Sequence, residues 1–192
     1  FAQSDEYRVE PSGKLHAFCH AVPGKWHLMG VMLSAAGSFQ WYKNKLGKEE
    51  QVMEQSGKGN AYDILTSEAA EIDPGSEGLV FLPYLSGERT PYPDAHARGA
   101  FVGLTLRHSK GHMTRAVLEG VSYGLKDSIT LMQELGVDPA TVVLSGGGTR
   151  SALWKQMLAD VFETSCCLVN ATEGAAYGAA LLATVGCGAL ES

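Results

Sequence analysis

The sequence predicts an α/β layer fold with a mixed β-sheet flanked by helices. Three observations carry that prediction. The N-terminal part reads as a strand meander, with a hairpin signal at Val22-Pro23-Gly24-Lys25. The C-terminal part alternates strand and helix, the pattern of parallel pairing. Between them lies a long stretch, residues 110–135, whose apolar residues keep helical spacing.

Residues 1–14 are polar, carry Pro11 and Gly13, and read as a lead-in segment ending in a turn. Residues 14–21 and 26–32 are apolar-rich runs on either side of the Val22-Pro23-Gly24-Lys25 loop. Alternation puts His16, Phe18 and His20 on one face of the first strand and Ala17, Cys19 and Ala21 on the other. In residues 34–45 (SAAGSFQWYKNK) the period lengthens to that of a helix, with Gly47 as its stop. A second helix falls within residues 61–72 and ends at Asp73-Pro74-Gly75. Residues 79–82 are a short buried strand. Residues 83–98 form a loop stiffened by Pro83, Pro91 and Pro93, and a loop of that length inside a domain marks function. Residues 99–104 are the next strand.

Over residues 110–135, Met113, Val117, Val121, Leu125, Ile129 and Met132 make one apolar helix face. Gly120 and Gly124 on this helix let another element approach closely. A strand over 141–145, a helix over 151–164 and a strand over 166–169 follow. Residues 175–185 read as a small-residue helix that must pack tightly.

The chain has 192 residues, the size of one ordinary domain. Its 45% hydrophobic and 19% charged content suits a packed core and argues against disorder and coiled coil. A net charge of -6 lacks the electrostatic footprint of a nucleic-acid binder, so no nucleic-acid partner is expected. No apolar run approaches the ~20 residues that span a bilayer, and no membrane partner is expected. Cys19, Cys166, Cys167 and Cys187 form no C-x-x-C pair. Reduced thiols and a cytoplasmic location are the expectation. The chain opens at Phe1 and not at a methionine, as a fragment of a longer gene product would.

The sharpest local feature is V-V-L-S-G-G-G-T-R-S-A-L-W, from Val142 to Trp154. A strand runs into Gly146, Gly147 and Gly148 and then into a helix. Backbone there can come close to a ligand, and the helix start offers free N–H groups. The competing reading is a tight strand-to-helix turn. Gly146-x-Gly148-x-x-Ser151 approximates a dinucleotide fingerprint, but the acid expected about 20 residues on is missing from the run Cys166 to Asn170. No Gly-Lys-Ser/Thr follows, so a Walker loop is absent too. A nucleotide site here, if the turn is more than a tight connection, belongs to another nucleotide-binding class.

Gly99-Ala-Phe-Val-Gly103-Leu104, a spacer, and then His112-Met113-x-x-Ala116-Val117-Leu118-Glu119 resemble the second signature of the FGGY carbohydrate kinases. The Gly-Gly-Gly-x-x-Ser run resembles that family's adenosine-contacting turn, and Glu173-Gly174-Ala-Ala-Tyr-Gly178-Ala179-Ala180 its last conserved helix. Phe18 to Met29 and Phe81 to Pro91 are similar to the xylulokinase branch of the family, and gluconate kinases share part of the Ser-Gly-Glu-Arg stretch.

The resemblance covers about residues 15–188 and implies an actin-like ATPase, ribonuclease-H-like domain. It implies a C-terminal, nucleotide-side domain. It likewise implies an N-terminal domain outside this chain that holds the sugar pocket and the catalytic aspartate. The complete enzyme would be an ATP-dependent kinase moving the γ-phosphate of ATP to a sugar hydroxyl, with D-xylulose as sugar and gluconate as the alternative. Mg²⁺ is implied, not ligated mainly by this domain. ATP or ADP and the sugar are the implied partners, and a homodimer stays open. The isolated fragment is expected to be inactive. A non-catalytic nucleotide- or partner-binding module of the same fold is the alternative.

By the same resemblance, Gly146, Gly147, Gly148 and Ser151 approach adenine and ribose, and Ala36 and Gln40 line the same pocket. Gln40 suits that place because its amide both donates and accepts. Glu88 and Arg89, in the proline-flanked loop, are candidates for a cleft-facing role. The plainer reading of that pair is an internal ion pair holding the loop shut. Asp160 reads as an exposed or capping residue and Glu119 as the i+4 ion-pair partner of Arg115. His16, His20 and His27 read as stacked hairpin residues ahead of a metal trio. Ser145 lacks the elbow of a hydrolase nucleophile.

Overall fold

The computed structural model describes residues 1–169 and 174–190. Asn170 and Glu173 of the sequence reading lie outside the described residues. The strands are β1 (Ala2–Ser4), β2 (His16–Cys19), β3 (Trp26–Met29), β4 (Val80–Leu82), β5 (Ala100–Val102), β6 (Thr141–Leu144) and β7 (Ser165–Leu168). The helices are α1 (Ala35–Leu46), α2 (Lys48–Gln55), α3 (Ala61–Ala70), α4 (Lys110–Glu134), α5 (Ala152–Phe162) and α6 (Gly174–Gly186). Short 3₁₀ turns occupy Ser76–Gly78 and Gly147–Arg150.

The predicted α/β class holds, but the strands do not join into one mixed sheet. Among the described residues they form three small sheets. The order β1-β3-β2 is antiparallel, β4-β5 is antiparallel, and β6-β7 is parallel. The lead-in segment is therefore partly a strand, since Ala2 pairs with Leu28 and Ser4 with Trp26. So short an edge strand carries no alternation to betray it in the sequence.

Helix α4 is the axis of the molecule. Ala116, Val117, Leu118 and Val121 on it are buried against Phe39 and Tyr42 of α1, Leu65 of α3, Phe81 of β4, and Trp154, Met157 and Phe162 of α5. Each fully buried large apolar side chain contributes roughly 1.5–3 kcal/mol relative to exposure. The α4 glycines work as expected. A Cβ on Gly120 would run into the Phe81 carbonyl oxygen, and one on Gly124 would lie 2.7 Å from Met32 Cε. Gly111 allows the same closeness to α3, where a Cβ would be 2.8 Å from the Glu68 carbonyl.

The C-terminal end of α4 is closed by a Schellman turn. Gly136 (φ 76°) takes the left-handed position, its N–H donates to Gln133 O, and Val137 N–H donates to Met132 O. Met132 then packs with Leu15 and Leu28 under the β1-β3-β2 sheet.

Arg115 and Glu119 form the buried i,i+4 pair that their spacing predicts, at 2.8 Å. Glu119 also accepts from Gly75 N–H at 2.9 Å and Ser76 Oγ at 3.0 Å, while Arg115 donates to Ile72 O at 2.7 Å. The pair pins the turn after α3 to α4.

Two further elements depart from expectation. Gly47 ends α1 and at once caps α2, an added helix whose sequence KEEQVMEQ buries only Glu50. Helix α6 is not tightly packed: none of its described residues is buried, and Tyr177 and Leu182 are exposed.

Candidate functional site

Strand β6 delivers the chain to Gly146, whose backbone (φ 91°, ψ 179°) is open only to glycine. The 3₁₀ turn Gly147–Arg150 follows, and Ser151 then caps α5 by accepting from Trp154 N–H at 3.2 Å. Among the described residues, the N–H groups of Gly147 and Gly148 donate to no protein acceptor. Gly148 lies close against the Trp154 ring, where a Cβ would be 2.9 Å from Cζ3. Around Gly147 there is open space.

Trp154 is 4% exposed and anchored by an Nε1–H bond to Ser122 Oγ of 3.1 Å. It stands edge-on to Phe39, and Phe39 edge-on to Tyr62. Lys43 Nζ sits 4.5 Å above the Tyr62 ring. This aromatic chain joins α5, α1 and α3 beneath one cavity of about 550 Å³. Ala36 and Gln40 of α1 line one wall, Gly147, Gly148 and Ser151 another. Thus five of the six sequence candidates meet at one cavity; Gly146 shapes the turn behind it.

A third wall escaped the sequence reading. Tyr62, Asp63 and Thr66 of α3 and the α3 cap Asn60 face the same cavity, as does Arg150. The Asn60 side chain accepts from Tyr62 N–H at 2.9 Å, so an Asn followed by helix-forming residues is the one local signal of this wall.

Glu88 and Arg89 do not line the cavity, and the ion pair expected between them is not formed. Glu88 is buried, and its Oε1 accepts from the backbone N–H of Leu33 (2.9 Å) and of Arg89 (2.8 Å), while the Arg89 side chain is exposed. The two backbone donors converge on Oε1, while the buried Oε2 has no partner among the described residues. Ser86 Oγ pairs with Ser34 Oγ at 2.8 Å, and Thr90 N–H donates to Val31 O at 3.0 Å. The loop thereby clamps the residues just ahead of α1, and so sets the wall that carries Ala36 and Gln40.

Asp160 is exposed and accepts from Gln156 Nε2 at 2.8 Å, away from the cavity. His27 stacks on Phe18 at 5.4 Å and meets His20 edge-on at 6.2 Å. Outside the cavity, Lys110 bonds Glu49 and buried Glu50 at 2.8 Å each, and these carboxylates hold its ammonium well above the usual lysine range against the opposing effect of burial.

The fold is that of an actin-like ATPase domain, shared with its structural neighbours. The model of the C-terminal domain of the FGGY family of carbohydrate kinases matches residues 3–187, and the chain belongs to that family. The xylulose kinase of Escherichia coli K12 is 43% identical over 161 residues, covering 84% of this chain and 31% of that protein. The gluconokinase of Bacillus subtilis is 34% identical, covering 98% of this chain and 37% of its own length. A ligand-bound xylulose kinase structure from Lactobacillus acidophilus superposes with a TM-score of 0.84 at 28% identity, over 99% of this chain and 36% of that one. The chain thus spans about a third of the length of the curated relatives it matches.

Proposed function

We propose that this chain is the nucleotide-side domain of an ATP-dependent sugar kinase that phosphorylates D-xylulose to D-xylulose 5-phosphate. The observation that carries the reading is the convergence of Ala36, Gln40, Gly147, Gly148 and Ser151 on one cavity. The free N–H groups of Gly147 and Gly148 are donors for nucleotide oxygens, and the open space at Gly147 leaves room for a ring. The Gln40 amide offers the donor–acceptor pair that a purine edge requires. Similarity to the xylulose kinases favours xylulose, and the gluconokinase match keeps gluconate as the second substrate class.

Phosphoryl transfer rests on positioning and charge stabilisation. This domain supplies the positioning of ATP; the aspartate that activates the sugar hydroxyl belongs to the upstream domain. Mg²⁺ would come to such a site with the nucleotide, held by its phosphates, water and one or two carboxylates of the complete enzyme.

The test has two parts. ADP at about ten times its Kd raises the unfolding free energy by about 1.4 kcal/mol, a shift of about 3–6 °C in Tm. Coupled ADP release with D-xylulose stays at background for the chain alone and appears when the upstream domain is joined to it. A folded chain with no shift at millimolar ADP refutes the pocket, and turnover by the chain alone refutes the division of labour.

A further inference from the structure

We infer that Asp63, in the first turn of α3, reads the ribose hydroxyls of the bound nucleotide and makes the site selective for ribonucleotides. This rests on the reading of the cavity as an adenosine pocket.

Half of the polar side chains on the cavity wall are already engaged. Asn60 caps α3 and donates to Glu54 Oε1 at 2.8 Å, Thr66 donates to Tyr62 O at 2.9 Å, and Ser151 caps α5. Gln40, Tyr62, Asp63 and Arg150 differ: among the described residues their side chains make no hydrogen bond or ion pair, and all but half-buried Tyr62 are exposed at the cavity mouth. The Tyr62 phenol donates and accepts and favours neither phosphate nor sugar. Each of the other three has a distinct chemistry. Arg150 is a donor-only cation and matches phosphate oxygens. Gln40 donates and accepts, and matches a purine edge. Asp63 only accepts when ionised.

A polyphosphate offers Asp63 nothing but acceptors and like charge. The vicinal hydroxyls of a ribose offer two adjacent donors, which a carboxylate takes with its two oxygens. By chemistry alone, phosphate is matched to Arg150 and sugar hydroxyls to Asp63.

The experiment measures the dissociation constants of ADP and 2′,3′-dideoxy-ADP by calorimetry for the wild type, Asp63→Ala and Asp63→Asn. The wild type is expected to prefer ADP by about tenfold or more, the usual scale of a charge-assisted hydrogen bond. Asp63→Ala is expected to bring the ratio close to one by weakening ADP alone, and Asp63→Asn to restore part of it. Removing the charge also lowers repulsion with phosphate, but that acts on both ligands and cancels in the ratio. An unchanged ratio in Asp63→Ala overturns the assignment, and so does a ratio kept while preference for ADP over inosine diphosphate is lost. A folded wild type that binds neither nucleotide overturns the adenosine pocket itself, whereas wild-type binding without discrimination overturns only the role of Asp63.

Discussion

Gly148→Ala is the most direct probe of the seat that holds the glycine turn. The new Cβ would lie 2.9 Å from Trp154 Cζ3 and 3.1 Å from Cε3, against ordinary contacts of roughly 3.5–4.0 Å. Trp154 has no room to retreat, because it is buried, stands against Phe39 and is tethered to Ser122. The turn itself must lift by about 0.5–1 Å, and overpacking of this kind costs about 1–3 kcal/mol. For a chain of this size that lowers Tm by about 2–12 °C, readable by calorimetry or circular dichroism. Gly147→Ala is the control. Its Cβ would meet nothing within 4 Å, so stability should hold within about 0.5 kcal/mol while ADP binding weakens. A Trp154→Phe background removes the clashing ring edge, and the double variant should show a favourable coupling of about 1 kcal/mol. A Gly148→Ala protein with unchanged Tm, or costs that simply add in the double variant, would refute the close contact.

Two other outcomes are expected. Glu119→Ala leaves the buried Arg115 guanidinium without its carboxylate and should cost about 3–5 kcal/mol in urea unfolding, far more than removing an exposed carboxylate such as Glu6. Glu10 is held down to about 2 chiefly by the Ser12 hydroxyl, helped by the backbone N–H groups of Ser12 and Lys14. Its folded value is depressed, so its contribution is fully present above its ordinary 4.5 and fades as pH falls to about 2; an NMR titration should find its midpoint near the lower value, and Glu10→Gln should flatten that part of the acid limb.

What the sequence made legible was local. The apolar spacing of α4 and the loop of the β2–β3 hairpin are patterns carried by neighbouring residues, and the glycine turn before α5 is a contiguous motif. The α3 wall was not legible because nothing near Tyr62 or Asp63 signals that Gly111 lets α3 settle against α4. Helix α2 was hidden by its polarity: a helix that buries only Glu50 leaves no apolar period to count. Helix α6 misled in the opposite sense, since small residues suit close packing but do not enforce it. The Glu88–Arg89 pair shows a further limit. Adjacent opposite charges suggest each other, while the partners that won were backbone N–H groups of Leu33 and Arg89, which have no signature in a sequence.

The walls of the cavity come from α1, α3 and the turn before α5, segments far apart along the chain that meet only over α4. A site assembled from such distant pieces forms late in folding, because the long loops between them must close before any contact across the cavity is gained. Appearance of the cavity therefore marks completion of the domain.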